Sequence, residues 1–187
     1  MPQYKSIILS GLAGSGKSTL ARELTKRYRW PLVSIGDTWR ALWAEKYPDK
    51  SVSFEKYIES LTREEDRIMN ERMRATYEKG NVIGDARYAV CYKGISNTLL
   101  VFVTASLDVR MARAVGDPKY VGKSETEVRQ ILLDREQHEV AVCRDLFGDD
   151  YRDSSHYHLT VNSGLLTLDQ ELSVIATLVP IPVYIIN

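Results

Sequence analysis

A glycine-rich segment close to the N-terminus constrains the fold of this chain more than any other feature. Residues 11–18 read GLAGSGKS and match the pattern G-x-x-x-x-G-K-[ST]. The β-rich run YKSIILS precedes the segment, and Leu20, Leu24 and Tyr28 follow it at helical spacing. The sequence therefore predicts a strand, a tight loop and a helix. In that arrangement the loop amides and the helix N-terminus form a cradle for phosphate groups.

Two side chains of this phosphate-binding loop have specific expected roles. Lys17 is predicted to reach the terminal phosphates of ATP as a point charge, and the Ser18 hydroxyl to ligate Mg²⁺. The residues predicted to bind ATP are Gly11, Leu12, Ala13, Gly14, Ser15, Gly16, Lys17, Ser18 and Thr19. The plainer alternative is a glycine turn that only joins a strand to a helix. The three fixed positions and the strand-to-helix context favour nucleotide binding.

The rest of the chain alternates apolar runs with helical patterns, which is typical of an α/β fold with a parallel sheet. The predicted strands span residues 4–10, 31–35, 81–84, 99–104 and 157–161. Helices across both faces of this five-stranded parallel sheet would give a three-layer P-loop NTPase fold. We expect residues 1–187 to form a single domain, because 187 residues are about one domain in length.

An insertion between the second and third strands carries an apolar helical stripe. Its members are Phe54, Tyr57, Ile58, Leu61, Ile68, Met69 and Met73. One amphipathic helix or a broken pair of helices explains the stripe. Capping boxes at Ser124 and Thr167 predict two further helices, each with Glu or Gln three residues later. Residues 116–122 have the glycine and proline content of a mobile loop, and residues 180–187 resemble an extended edge segment.

Charge and cysteine content limit the classes of partner. Lys and Arg number 25, Asp and Glu also number 25, and the isoelectric point is near 6.8. Long nucleic acid is therefore not an expected partner, because the chain has no overall basic character. Cys91 and Cys143 lack the spacing of a metal or redox pair, and no apolar run reaches about 18 residues. We expect a cytoplasmic protein with no membrane association.

Charged residues follow the second and third predicted strands, where ligands bind in α/β proteins. Asp37 and Arg40 lie about one helical turn apart. Asp85 ends an apolar run and is placed to hold Mg²⁺, and Arg87 is suited to an acceptor phosphate. The alternatives are a helix cap with a surface arginine, and a turn with a chance ion pair. Position at the sheet edge favours the functional interpretation of both pairs.

A set of arginines flanks the predicted mobile loop. Arg110 and Arg113 share a helix face before it, and Arg129, Arg135 and Arg144 follow it. Such a set suits a lid that closes over a phosphoryl group and neutralises its charge. Solvated surface arginines are the ordinary alternative. His156 and His158 alternate along the predicted fifth strand, so a metal pair is conceivable there, although a surface strand is the preferred interpretation.

Beyond these motifs, the chain resembles the nucleoside monophosphate kinases, and most closely the archaeal-type and related short cytidylate kinases. The resemblance rests on SGLAGSGKSTLARELTKR, SIGDTWR, EKGNVIGDARYAV, VFVTASLDVRMAR, LDRE and YHLTVNS, in that order. It implies transfer of a phosphoryl group from ATP, with Mg²⁺, to CMP or dCMP. It also implies that residues 38–79 form the monophosphate-binding segment and residues 114–134 the lid. Small nucleotides are the implied partners, and a monomer is expected, with a dimer through residues 180–187 as the alternative.

Matching positions also imply roles for single residues. Lys17, Asp85, Arg87, Arg113 and Arg135 are implied to be catalytic. Asp37, Arg40, Asp66, Arg72 and Arg87 are implied to bind the acceptor, Arg110 to lie near the ATP base, and Ser18 and Asp85 to hold the metal.

The chain also departs from its relatives at several positions. Tyr120-Val121 stands where many relatives have Arg-Glu, Tyr157-His158 where they often have Tyr-Asp, and Val142 in place of an arginine. Asp85 also stands where the most similar relatives often have Glu, which keeps the charge but shortens the reach to Mg²⁺. Two alternative functions stay open: a kinase of another small acceptor, and a non-catalytic nucleotide-binding protein.

Overall fold

A computed structural model describes residues 4–181 and has a five-stranded parallel sheet at its centre. The strands are β1 (Ser6–Gly11), β2 (Leu32–Ser34), β3 (Val82–Asp85), β4 (Thr98–Thr104) and β5 (Leu159–Asn162). Their order in the sheet is β2-β3-β1-β4-β5. The register pairs Leu9 of β1 with Asp85 of β3, and Gly11 of β1 with Val103 of β4. This confirms the predicted α/β fold and puts the phosphate-binding loop at the centre of the carboxyl edge.

Seven α-helices cover the sheet within the described residues. They are α1 (Lys17–Tyr28), α2 (Ile35–Lys46), α3 (Phe54–Glu59), α4 (Arg63–Tyr77), α5 (Leu107–Val115), α6 (Glu125–Phe147) and α7 (Leu168–Leu178). Short 3₁₀ turns occur at Ala89–Tyr92, Pro118–Tyr120 and Ser154–His156. Both predicted capping boxes are present, at the starts of α6 and α7. None of these helices combines the length and apolar character needed to span a membrane.

The insertion between β2 and β3 contains α2, α3 and α4. The apolar stripe predicted as one helix or a broken pair is the broken pair, α3 and α4. The break has a local cause: the Thr62 hydroxyl accepts a hydrogen bond from the Glu65 amide, and the Glu65 carboxylate accepts one from the Thr62 amide at 2.8 Å. This reciprocal cap starts a new helix, because it satisfies amides that lack a partner in the preceding turn.

The two faces of the sheet bury separate apolar clusters, as expected for side chains that alternate along a strand. Ile7 and Leu9 pack with Leu20 and Leu24 of α1 on one face, together with α7. Ile8 points to the opposite face and packs with residues of the insertion, such as Trp39, Met69 and Met73. The three layers therefore hold the insertion and the α1–α7 pair on opposite sides of one sheet.

The fifth strand begins later than predicted, so the placement of both histidines on it is wrong. His156 ends a 3₁₀ turn and contacts Asp149, whereas His158 precedes β5 and its Nδ1 accepts a hydrogen bond from the Leu100 amide at 2.9 Å. The Asp153 carboxylate caps this turn by accepting a hydrogen bond from the Ser155 amide, and β5 begins only at Leu159. No group of three or more potential metal-binding side chains occurs in residues 4–181. Of the expected extended segment 180–187, residues 182–187 lie outside the described part of the chain.

Candidate active site

The phosphate-binding loop has the backbone expected for an anion cradle. Gly14 and Gly16 have φ angles of 79° and 86°, and Gly16 caps the N-terminus of α1 without a side-chain hydrogen bond. These left-handed conformations, which cost glycine little, let successive amides face one concave side. The uncapped amides at the start of α1 face the same side and add the partial positive charge of the helix N-terminus.

Lys17 and Ser18 meet Asp85 at the centre of the sheet edge. The Lys17 ammonium contacts one oxygen of Asp85, and the Ser18 hydroxyl donates a hydrogen bond of 2.8 Å to the other. The pairing of β1 with β3 produces this contact, because Asp85 lies beside Leu9, close to the start of the loop. A hydroxyl and a carboxylate that share one point suit a hard cation such as Mg²⁺, which takes one or two carboxylates and completes its shell with phosphate and water.

On the β2 side, Asp37 and Arg40 form an ion pair on the first turns of α2. The Arg40 guanidinium lies 2.7 Å from the Asp37 carboxylate and also stacks over the Phe54 ring at 5.4 Å. Ser34, not Asp37, is the helix cap. Both charged side chains are largely exposed, at 49% and 68%. The structure therefore brings together the predicted Asp37–Arg40 pair, in a form that an incoming anion can compete for, since exposed pairs are weak.

Arg87 and Asp66 face each other across the space between β3 and α4. The Arg87 backbone is fixed, because its carbonyl accepts a hydrogen bond of 2.8 Å from Ser10, while its guanidinium lies 5.9 Å from the Tyr88 ring centroid. Asp66 is buried, and burial raises the pKa of its carboxyl, an effect that Arg87 partly offsets. Within residues 4–181 neither side chain forms an ion pair.

Arg72, the remaining predicted acceptor residue, lies elsewhere on the same helix. The buried face of α4 consists of Asp66, Met69, Asn70, Met73 and Tyr77. Arg72 is exposed, and its backbone carbonyl accepts a hydrogen bond from the Thr76 hydroxyl. The structure thus brings Asp66 towards Arg87 but does not bring Arg72 to the same place.

A cavity of about 450 Å³ lies on the other side of the loop, towards β4 and β5. Gly14, Gly16 and Thr19 line it on the loop side. The remaining lining residues come from α5, the lid, α6, the β5–α7 connection and α7, and they are Arg113, Ala114, Asp117, Lys119, Tyr120, Leu132, Arg135, Ser163, Leu166, Leu168 and Glu171. Three of these side chains carry positive charge, which suits a ligand with several phosphate groups.

Arg113 and Arg135 are the two predicted lid-side residues in this cavity. Arg113 donates hydrogen bonds to the hydroxyl and the carbonyl of Ser163, at 2.9 and 2.8 Å, and lies against Gly16. Arg135 donates to Glu139 at 2.9 Å, and that carboxylate raises the pKa of the guanidinium above its ordinary value. Arg135 therefore stays charged, and both arginines are held beside the loop.

Arg110 does not line the cavity. It is buried beneath the loop, where its guanidinium donates to the Ala13 carbonyl at 3.4 Å and pairs with Glu136 at 3.2 Å. Its position supports the loop from below. Of the two arginines on α5, Arg113 is the one that faces the cavity. Of the other arginines predicted around the lid, Arg144 pairs with Asp150 at 3.0 Å, and Arg129 is exposed on α6.

Lys119, Ser163 and Glu171 are among the cavity residues that the sequence interpretation missed. Lys119 lies on the lid turn, Ser163 follows β5, and Glu171 lies in the first turns of α7. Ser163 and Glu171 both follow a strand at the carboxyl edge of the sheet, which is the signal that identified Asp37 and Asp85. Only the fold shows that the β5–α7 connection lies against the phosphate-binding loop.

The loop, the parallel sheet and the cations around them define a P-loop kinase. The fold is similar to that of shikimate kinase from Bacteroides thetaiotaomicron, with a TM-score of 0.58 and 19% identity over 92% of this chain and 97% of that one. It is also similar to an uncharacterized protein from Eubacterium ventriosum, with a TM-score of 0.65 and 17% identity over 92% and 96% of the two chains. These structures show the fold alone.

Sequence comparison then gives the family. The cytidylate kinase-like family model matches residues 6–165. The cytidylate kinase of Haloarcula marismortui is 33% identical over 84% of this chain and 80% of that protein, and the cytidylate kinase of Pyrococcus horikoshii is 32% identical over 87% and 82%. The chain belongs to the cytidylate kinase-like family and is a phosphotransferase of the nucleoside monophosphate kinase class.

Proposed function

We propose that this chain transfers the γ-phosphoryl group of ATP to CMP or dCMP. The observation that carries the proposal is the position of Lys17, Ser18 and Asp85 between two groups of cations. Arg113 and Arg135 lie on the β4–β5 side, and Arg40 and Arg87 on the β2–β3 side. The names of the curated relatives support cytidylate as the acceptor.

The proposed reaction needs positioning and charge neutralisation more than covalent chemistry. A phosphate oxygen of the acceptor attacks the γ-phosphorus, and the bond from that phosphorus to the bridging oxygen breaks, which leaves ADP. The loop amides and Lys17 hold the donor phosphates, and Arg113 and Arg135 face them from the lid side. Ser18 and Asp85 would hold Mg²⁺, and the metal would supply positive charge against the charge that develops during transfer.

On the acceptor side, Arg87 is the residue best placed to bind the monophosphate. Its guanidinium has no carboxylate within ion-pair distance in residues 4–181, so a phosphate need not displace an ion-paired carboxylate. A planar guanidinium can donate two parallel hydrogen bonds to a phosphate. Asp66, buried nearby, is an acceptor for N–H groups and would suit the amino group of a cytosine base.

The proposal also covers the setting of the reaction. We place the enzyme in the cytoplasm as a monomer with small nucleotides as its partners. Both cysteines are free thiols, and burial raises the pKa of Cys143 to about 11, so this thiol has little thiolate character at neutral pH.

The proposed function is tested by the release of ADP from ATP in the presence of Mg²⁺. CMP, dCMP, UMP, AMP, GMP and a blank without acceptor are compared at equal concentration. The proposal expects turnover with CMP or dCMP that exceeds turnover with every other acceptor. Turnover with a different acceptor would contradict the cytidylate assignment, and tight ATP binding without transfer to any acceptor would indicate a non-catalytic binding protein.

Replacing Arg87 with methionine should weaken acceptor binding. Loss of a charge-assisted hydrogen bond costs about 1.5–3 kcal/mol, so the KM for CMP should rise by about 10- to 100-fold. The KM for ATP should change by less than about threefold, because Arg87 lies on the opposite side of Asp85 from the cavity. Steady-state kinetics with each substrate varied in turn measures both values.

Arg72→Met is the matched control for Arg87→Met, since it removes the same charge from the exposed face of α4. We expect its KM for CMP to stay within about threefold of the original value. An equal rise in the two variants would show that Arg87 has no special role in acceptor binding.

Asp66→Asn should stabilise the ligand-free protein and impair transfer. Because burial raises the pKa of Asp66, the folded state holds its proton more tightly than the unfolded state does. Stability is therefore lost as the pH rises from the ordinary pKa through the raised one, so the penalty is greater at pH 7 than near pH 4. The melting temperature of Asp66→Asn should exceed that of the wild type at pH 7, and this difference should shrink near pH 4. Thermal unfolding at the two pH values measures it, and a lower melting temperature at pH 7 would contradict the assignment.

A further inference from the structure

Glu171 is a buried carboxylate for which the proposed reaction has no role. It lies in the first turns of α7 with 5% of its surface exposed. Its amide bonds to the Thr167 carbonyl within the helix, but its carboxylate makes no hydrogen bond or ion pair in residues 4–181. Burial raises the pKa of this carboxyl, and Arg113 opposes that shift. Because this carboxylate lines the cavity and has no protein partner in residues 4–181, a ligand in the cavity is the natural partner to look for.

The surroundings of Glu171 suit a flat aromatic ring. Glu171 lines the cavity beside the phosphate-binding loop, together with Leu166 from the β5–α7 connection and Leu168 at the start of α7. Thr19 of α1 and Ser163 complete this end of the cavity. Small-molecule sites combine apolar walls with a few placed polar groups, and here two leucines lie beside Thr19, Ser163 and Glu171. This end of the cavity therefore offers leucine side chains to a ring and one carboxylate, that of Glu171, as a charged hydrogen-bond acceptor.

The fold places this end of the cavity where the base of the donor belongs. Lys17, Ser18 and Asp85 meet on the β3 side of the loop, and this point marks the terminal phosphate. The cavity extends from Gly14 and Gly16 in the opposite direction, across β4 to the residues that follow β5. A nucleotide with its phosphates along the loop therefore has its base among the β5–α7 residues.

We propose that Glu171 accepts a hydrogen bond from the 6-amino group of the donor adenine and thereby selects ATP. An ionised carboxylate has acceptors only, so it needs N–H groups on the base. Adenine carries such N–H donors in its 6-amino group. A purine without that group would leave the carboxylate unpaired. The inference rests on the proposed function, since it assumes that ATP occupies the cavity.

The test measures equilibrium binding and not turnover. Dissociation constants are determined by calorimetry for ATP and for purine riboside triphosphate, which is ATP without the 6-amino group. The wild type should bind the analogue about 10- to 100-fold more weakly, as expected for the loss of a hydrogen bond to a charged group. In Glu171→Met, which fills the same space without an acceptor, the two ligands should differ by less than about threefold. Glu171→Gln keeps one acceptor oxygen and should restore part of the preference.

Asp169→Asn is the matched control, because it removes an exposed acid from the same turn of α7. Its preference for ATP should equal that of the wild type. Equal discrimination by the wild type and Glu171→Met would overturn the inference. Tighter binding of GTP than of ATP, lost in Glu171→Met, would also overturn it, because the carboxylate would then bind the two adjacent N–H groups of guanine. If the wild type binds no nucleoside triphosphate, the proposed function itself fails.

Discussion

Lys17→Met should lower kcat for phosphoryl transfer by about 10²- to 10³-fold, the usual cost of losing one preorganised donor at a developing charge. Lys17 is the first residue of α1, and its side chain contacts Asp85 and is 19% exposed. Its charge therefore acts where little water screens it. Methionine keeps the length and the apolar stem but removes the ammonium. Release of ADP with CMP as the acceptor, at saturating ATP, measures the effect.

The control for Lys17→Met lies on the same helix. Lys26 is 72% exposed and pairs with Glu23 one turn earlier. Lys26→Met removes the same charge from α1 and should leave kcat within about twofold, because exposed ion pairs contribute little. A Lys17→Met enzyme with more than about a tenth of the original kcat would show that the loop amides and the arginines are sufficient without Lys17.

Local sequence signals were enough to predict the centre of the fold. The loop pattern and the run before it located β1 and α1, and the capping boxes at Ser124 and Thr167 located the starts of α6 and α7. These features depend on neighbours within four residues, which is why one sequence reveals them. The end of β3 was also well marked, because Asp85 interrupts an apolar run.

The side-chain arrangement of the site depends on contacts between distant segments and was harder to predict. Arg110 and Arg113 lie three residues apart, yet one is buried under the loop by Glu136 and the other faces the cavity by Ser163. Helical periodicity puts both on one side of α5, but it does not show what covers that side. Glu171 was missed for the same reason, since α7 reaches the loop only through the order of strands in the sheet.

Gly11→Ala should destabilise the protein by about 3 kcal/mol, at the upper end of the cost of overpacking. Gly11 ends β1 with a φ angle of 152° beside Val103 of β4, and a Cβ atom there would lie 2.1 Å from the Val103 carbonyl oxygen. The contact involves backbone on both sides, so no side-chain rotation relieves it. The same carbonyl also accepts a hydrogen bond from the Leu12 amide at 3.2 Å, and this bond holds the start of the loop against β4. Separation of the strands would therefore also open the phosphate cradle.

Thermal unfolding measures the effect of Gly11→Ala, with an expected fall in the melting temperature of about 6–12 °C for a domain of this size. Gly116→Ala is the matched control, because an added Cβ would meet only the Arg113 carbonyl oxygen at 3.8 Å, an ordinary contact. Its melting temperature should stay within about 2 °C of the wild type. Because the clash involves β1 and β4 themselves, ATP should restore little of the lost stability of Gly11→Ala. A melting temperature for Gly11→Ala within about 2 °C of the wild type would show that the end of β1 can move away from Val103 at little cost.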